Sequence, residues 1–283
     1  MGKGMGLVFV SRLTLLSVAA PAMAAKTGGC SAPSQLDAII ARGHLKVGMT
    51  GAYKPFSYLD PDSASNSSSS GYIGADVDMA KSLSQAMGLT KDPEFVHATF
   101  ANMTTEINEG RYDIGMTGVS ITLARARLCF YSNPLIRVGK VATVRCEDAS
   151  KYQSLAAIDV EGVRVATPSG GSNEVFDRAN LKKAEILVYT ETDNNIIFQA
   201  VVDKKADVMI TDRVEAELQA KMHPGVLCAV NPEEPFSFEE IGYIMKRDVV
   251  LQQFVNQWLH VQQGSGAWNR TLQSWMDYPW PHT

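Results

Sequence analysis

The chain has 283 residues, enough for one large domain or two modest ones with a real hydrophobic core. Hydrophobic residues make up 45% and charged residues 20%, an ordinary soluble balance that excludes disorder, collagen and a membrane bundle as descriptions of the whole. The formal charge is -4 with no cluster of Lys and Arg, which excludes nucleic acid as a polyelectrolyte partner.

Residues 1–12 hold Lys3 and Arg12 and no acid, residues 13–20 are apolar, and Pro21-Ala22-Met23-Ala24 supplies small residues for a peptidase. This order predicts a signal peptide over residues 1–24, and hence a periplasmic or secreted protein. The apolar run is too short to span a bilayer, so no stable membrane insertion is expected. A buried N-terminal helix is the competing reading. Loss of the segment would take the formal charge from -4 to -6.

Residues 45–49 read as a strand, and residues 60–71 as a Ser-rich loop without core contacts. Residues 76–87 place Val77, Ala80, Leu83, Ser84 and Met87 on one helical face. A strand at 94–98, a helix at 103–108 and a strand at 114–116 follow. The rhythm returns with a strand at 163–167, a helix from Asn173, a strand at 186–189, a helix from Asn194 and a strand at 208–210. Two last helices, 249–263 and 267–276, carry Phe254, Trp258, Trp268 and Trp275, most simply as packing residues. Alternating strands and helices predict an α/β protein with mostly parallel sheets. Residues 109–117 and 203–211 also echo each other: a helix end, a polar turn with Asp113 or Asp207, an apolar run, then Thr117 or Thr211. Two similar lobes would produce that, each delivering these residues to strand C-terminal ends where open α/β sheets bind ligands.

Of the four cysteines, none has CxxC spacing or a nearby His, so zinc has no support. Cys146 and Cys228 each end an apolar run, and as neighbouring strand ends in an oxidising compartment they are the expected disulfide. Cys129, beside Phe130, is expected to be a buried thiol.

Three stretches, Tyr53-Lys54-Pro55-Phe56-Ser57-Tyr58, Gly74-Ala75-Asp76-Val77-Asp78-Met79-Ala80 and Ser120-Ile121-Thr122-Leu123-Ala124-Arg125, resemble the amino-acid-binding family of bacterial solute-binding proteins. The resemblance runs from about Leu36 to the C-terminus. It implies a two-lobed periplasmic-binding-protein (type II) fold with a two-strand hinge, residues 36–139 plus 236–283 forming one lobe and 140–235 the other. It also implies that Arg125 clamps a carboxylate with help from Gly118 and Ser120, and that Asp212 holds an ammonium. Further segments are similar to an enzymatic branch, the cyclohexadienyl dehydratases. These are Gly170-Gly171-Ser172-Asn173-Glu174, Arg178-Ala179-Asn180-Leu181-Lys182-Lys183-Ala184, Ala206-Asp207-Val208-Met209-Ile210-Thr211-Asp212, Gln257-Trp258-Leu259-His260 and Trp280-Pro281. That likeness makes Glu174 the general acid. Two departures bear on substrate preference: Ala52 stands where the branch tends to have Asp, and Phe100 where it has Trp.

The implied substrates, prephenate and arogenate, lose carbon dioxide and a ring hydroxyl to become aromatic. Hydroxide leaves badly and water well, so one aimed proton donor suffices, and general acid catalysis contributes ~10²–10⁴-fold. No metal or organic cofactor is required, and GxSxG, GxxxxGK[ST] and HExxH are absent from the sequence. Glu174 falls in the first turn of its helix, where the macrodipole favours the ionised form; burial and substrate carboxylates favour the protonated form, and are expected to win only in the closed complex. An acid in a first turn is also ordinary helix chemistry. Arg125 follows Ser120 and Thr122, which can cap a helix over 123–128, and a guanidinium beside a helix N-terminus seats a carboxylate. Arg127 faces elsewhere. Gly170 and Gly171 would let backbone approach an anion, or simply form a turn. Asp212 either holds the amino group of arogenate or caps a helix over 214–221. Thr117, Ser172, Asn173, Phe100, Tyr53, Lys54 and Lys140 complete the substrate-binding candidates. The competing function is a non-catalytic receptor that delivers an amino acid to a transporter; a third is an exported interaction protein that keeps only the fold. A homo-oligomer is compatible with the sequence, which does not rank prephenate against arogenate.

Overall fold

The structure, a computed structural model, describes Met1 and residues 33–61, 71–190 and 194–280. The expected signal peptide, Cys30 and the middle of the Ser-rich loop lie outside these residues.

Ser34 opens the first helix, α1 (Gln35–Arg42), with a capping box: its hydroxyl takes the Asp37 N–H while Asp37 bonds back to the Ser34 backbone. The strand β1 (Lys46–Met49) follows, then β2 (Ala52–Tyr53), β3 (Ser57–Leu59) and β4 (Tyr72–Ile73), which form a small antiparallel sheet. Next come α2 (Ala75–Ala86), β5 (Glu94–His97), α3 (Met103–Glu109), β6 (Ile114–Gly115), α4 (Leu123–Ala126), β7 (Phe130–Tyr131) and β8 (Ile136–Val138). The middle of the chain supplies β9 (Lys140–Arg145), α5 (Leu155–Ile158), β10 (Arg164–Pro168), α6 (Ser172–Asn180), β11 (Glu185–Tyr189), α7 (Asn195–Val202), β12 (Val208–Asp212), α8 (Arg213–Met222) and β13 (Leu227–Val230). The chain ends through β14 (Glu239–Ile241), β15 (Ile244–Met245), α9 (Val249–Gly264) and α10 (Ala267–Met276).

Two five-stranded sheets result, ordered β5-β1-β6-β15-β7 and β11-β10-β12-β9-β13. In the first, β1 runs parallel to β5 and β6, and β15 pairs antiparallel with β6 and β7. In the second, β10 runs parallel to β11 and β12, while β9 runs antiparallel to β12 and β13. The sheets are thus mixed rather than mostly parallel, because the strands beside each passage between them return in the opposite sense. Strands β9 and β12 are buried at every position, as interior strands covered on both faces must be.

The two sheets belong to two lobes, joined by an antiparallel pair in which Ile136 of β8 faces Ile241 of β14 and Val138 faces Glu239. Gly139 is required at the crossing, since a Cβ there would stand 2.2 Å from the Ser237 carbonyl. Cys146, just after β9, is bonded to Cys228 of β13, as their place at strand ends predicts. Cys129 is a buried thiol.

The internal echo has a shared structural job. Asp113 accepts the backbone N–H of Lys46 at the start of β1, and Asp207 that of Arg164 at the start of β10. Each carboxylate ties the strand after it, β6 or β12, to its parallel neighbour. Trp258 and Trp268 are core residues. Trp280 packs with Tyr58 of β3 and Leu218 of α8, so one buried indole touches both lobes.

Candidate functional site

The C-terminal ends of the central strands face each other between the lobes. One lobe contributes Tyr53, Phe100, Gly118, Ser120 and Arg125, and the other Ser172, Asn173 and Asp212, to a shared cavity of ≈ 30 Å³. These eight were sequence candidates. The volume holds about one water molecule. A wider groove of ≈ 530 Å³, in the size range of ligand sites, shares Phe100, Arg125, Gly171 and Ser172 with it and adds Glu239. A ring with two carboxylates therefore needs the lobes to part before it reaches the inner cavity.

Arg125 is placed by its helix. Thr122 caps α4 by accepting the Arg125 N–H, while Ser120 caps nothing and bonds through its hydroxyl to Ser172 across the cleft, at 2.9 Å. The guanidinium donates to the Ser120 and Phe100 carbonyls at 3.3 and 3.1 Å. Held on backbone oxygens, and with no carboxylate partner among the described ion pairs, it keeps donors for an anion. Arg127 is exposed, as expected. Opposite, α6 starts at Gly171 with no side-chain cap, so its first N–H groups point to the same space.

The floor is a buried polar network. Lys140 Nζ donates to Asp212 Oδ1 at 2.7 Å, Asn173 Oδ1 at 2.6 Å and Ser172 Oγ at 3.1 Å, and lies 3.2 Å from Glu239 Oε2. Tyr53 donates its hydroxyl to Asp212 Oδ2 at 2.5 Å. Behind them, Asn173 donates to Thr211, and Glu215 accepts from Thr211 and Asn194. Burial lifts the Glu215 carboxyl to about 8, against those hydrogen bonds. Burial works against the Lys140 ammonium, but Asp212 and Glu239 outweigh it and raise its pKa. Asp212 sits at the N-cap of α8 without capping it, because both its oxygens are turned to Lys140 and Tyr53.

Three candidates lie elsewhere. The Thr117 hydroxyl is fully buried and bonded to Thr50 and Ser57, so it braces the strand end rather than facing a ligand. The Lys54 ammonium is buried 4.2 Å from the Tyr58 ring centroid and 5.6 Å from that of Trp280. Glu174 is on the first turn of α6, its side chain 18% exposed, with Oε2 accepting the Gly170 N–H at 2.7 Å and Oε1 accepting from Arg178 at 2.8 Å. Those two contacts hold its pKa below the ordinary carboxylate range, so in this arrangement it is ionised. Gly170 lines the groove beside it.

Sequence reasoning missed Glu239, Glu215 and Asp177. Asp177 is fully buried on α6 with neither carboxylate oxygen hydrogen-bonded, and burial moves its pKa to about 7 against the Lys140 charge. A buried carboxylate three residues after Glu174 on a polar helix carries no local signal, whereas Glu239 had one in its apolar, strand-like surroundings.

The model of the bacterial extracellular solute-binding proteins, family 3, matches residues 45–278. The chain belongs to this family. Within it, the chain is 43% identical over 248 residues to cyclohexadienyl dehydratase of Pseudomonas aeruginosa, covering 88% of each protein. It is 43% identical to a crystallised ancestral cyclohexadienyl dehydratase, with a TM-score of 0.53 over 88% of this chain and 98% of that one. An ancestral amino-acid-binding protein described as a precursor of cyclohexadienyl dehydratase superposes with a TM-score of 0.76 at 31% identity, over 86% and 100%. A family 3 protein with the type II two-lobed fold thus stands nearer in sequence to these enzymes than to this amino-acid binder.

Proposed function

We propose that the chain is an exported cyclohexadienyl dehydratase, converting prephenate to phenylpyruvate and/or arogenate to phenylalanine. The observation that carries this is the 43% identity to cyclohexadienyl dehydratase along 88% of the chain. The boundaries that go with the reading are a cleaved segment 1–24, one lobe of residues 36–139 plus 236–283, and a second of 140–235.

In the reaction, the bond between ring and ring carboxylate breaks and its electrons enter the ring as carbon dioxide leaves. The ring C–O bond then breaks, and the proton of Glu174 goes to the departing oxygen so that water is released. Glu174 is left as a carboxylate and takes a new proton from solvent. Arg125 and the open N-terminus of α6 supply donors for substrate carboxylates. The approach of those carboxylates also favours a protonated Glu174, by like-charge repulsion. To act, Glu174 must exchange Gly170 and Arg178 for the substrate hydroxyl.

The same two contacts favour a second reading, the amino-acid receptor, because a carboxylate held ionised donates nothing. Purified residues 25–283 decide between them. Prephenate converted to a species absorbing in alkali as phenylpyruvate supports the enzyme; no conversion together with tight binding of an amino acid supports the receptor.

A further inference from the structure

Asp76, on the first turn of α2, is fully buried, and a buried carboxylate is costly unless its oxygens are bonded. Oδ2 accepts the Gly118 N–H at 2.8 Å and Oδ1 the Tyr243 hydroxyl at 2.9 Å, while its backbone N–H donates to the Phe56 carbonyl at 2.9 Å. Three segments therefore meet on one residue. The first is the turn 53–56, whose Tyr53 lines the inner cavity. The second is the loop 118–121, which carries Ser120 and leads to Arg125. The third is the strand that returns to this lobe through Glu239 and reaches Tyr243. Loop and strand are already joined, since Ile121 donates its N–H to the Glu240 carbonyl at 2.8 Å and Gly242 to that of Val119 at 3.0 Å. Gly118 is the kink of the loop, at φ 65°, where a Cβ would stand 2.5 Å from the Tyr53 ring. Asp78, two residues on, instead bonds the Trp275 indole at the surface, at 2.7 Å.

We propose that Asp76 is a positioning residue for substrate binding: by clamping Gly118 to the returning strand, it sets the loop that offers Ser120 and Arg125 to a ligand. Asp76 lies behind the loop, outside the residues that line the inner cavity, and acts through them. Without it the Gly118 N–H would be buried and unpaired, and the loop would relax toward another acceptor. That would draw the Ser120 hydroxyl from Ser172 and the Ser120 carbonyl from the Arg125 guanidinium. The loop meets substrate before and during the reaction alike. Its displacement weakens both states together, which raises KM and spares kcat. Asn can stand in for Asp76, its Oδ1 accepting from Gly118 and its amide donating to the Tyr243 oxygen. Ala cannot.

Two measurements on the purified protein test this. Hydrogen exchange needs no ligand: in Asp76→Ala the Gly118 amide should exchange about 10-fold faster than in wild type or more. The Met116 amide, bonded to the Gly48 carbonyl just before the loop, should keep its rate. Faster exchange at both amides marks a merely structural role and overturns the proposal, as does an unchanged rate at Gly118. The second measurement, steady-state kinetics with prephenate, rests on the dehydratase reading. Asp76→Ala should raise KM on the order of 10-fold at constant kcat, and Asp76→Asn should keep KM within about 3-fold of wild type. An unmoved KM, a fall in kcat alone, or Asn as damaging as Ala overturns the proposal. If wild type turns over no prephenate, only the dehydratase reading fails, and the exchange result decides the clamp. Should Asp76→Ala not fold, Tyr243→Phe keeps the ring and removes one arm of the clamp. It must then raise KM and speed Gly118 exchange by about 2-fold or more, and failure of either reading to move overturns the proposal.

Discussion

Glu174 and Arg178 stand one turn apart on α6 with carboxylate and guanidinium 2.8 Å from each other. The pair opposes the proposed chemistry, since a general acid must be protonated and this contact favours the charged form. Activity should therefore fall as pH rises through the Glu174 pKa. Arg178→Ala should move that limb to higher pH. Arg178 is 59% exposed, so solvent screens the pair and the shift should be small. A kcat/KM profile of both proteins checks this; a limb moving to lower pH contradicts the assignment.

Arg125 has its guanidinium supported by the Ser120 and Phe100 carbonyls. Arg125→Lys keeps the charge and loses the planar fork. Loss of one charged hydrogen bond to a substrate carboxylate should raise the KM for prephenate by roughly 10-fold to 100-fold. The ordinary Tm should persist, because the neighbours of Arg125 are carbonyls at a cleft edge. Steady-state kinetics with a parallel melt separates the two effects.

The Cys146–Cys228 bond closes a loop across 82 residues of sequence. Removing it through the double Ser substitution should cost about 2–5 kcal/mol, the range for a native disulfide. Urea unfolding of that variant against wild type reads the loss directly, and an unchanged midpoint would contradict it.

Three buried carboxyls set a pH dependence of stability. Burial takes Asp76 and Asp177 to about 7 and Glu215 to about 8 in the folded protein. Unfolded, such groups titrate near 4. Between those limits the folded state holds protons that the unfolded state has lost, so stability is greatest at the lower end and falls as pH rises through 7 and 8. The Tm should decline from pH 5 to about pH 8 and level off above it, and Glu215→Gln should flatten the upper part of that decline. Melting curves across the range decide it.

Much of the fold was open to inspection in the residue pattern. The apolar faces of α2 and α9 and the runs of β1, β10 and β12 have the length and period their elements need, and the ends of α10 agree with expectation. Strands of two residues, such as β2, β7 and β15, show no period and exist through their partners. The site divides along the same line. Arg125, Ser172 and Asn173 follow from local motifs at helix starts. The state of Asp212 depends on Lys140, 72 residues earlier, and on Tyr53, 159 residues earlier. Lys54 and Thr117 sit within motifs yet point inward, because Tyr58 with Trp280, and Thr50 with Ser57, lie on that side.

The most direct trial of the account is the rate of prephenate loss for wild type and Glu174→Gln, with prephenate affinity measured alongside. The account predicts a drop of ~10²–10⁴-fold in kcat for the variant with affinity little changed, as expected when a proton donor is removed and its shape kept. Equal rates for the two proteins would contradict it.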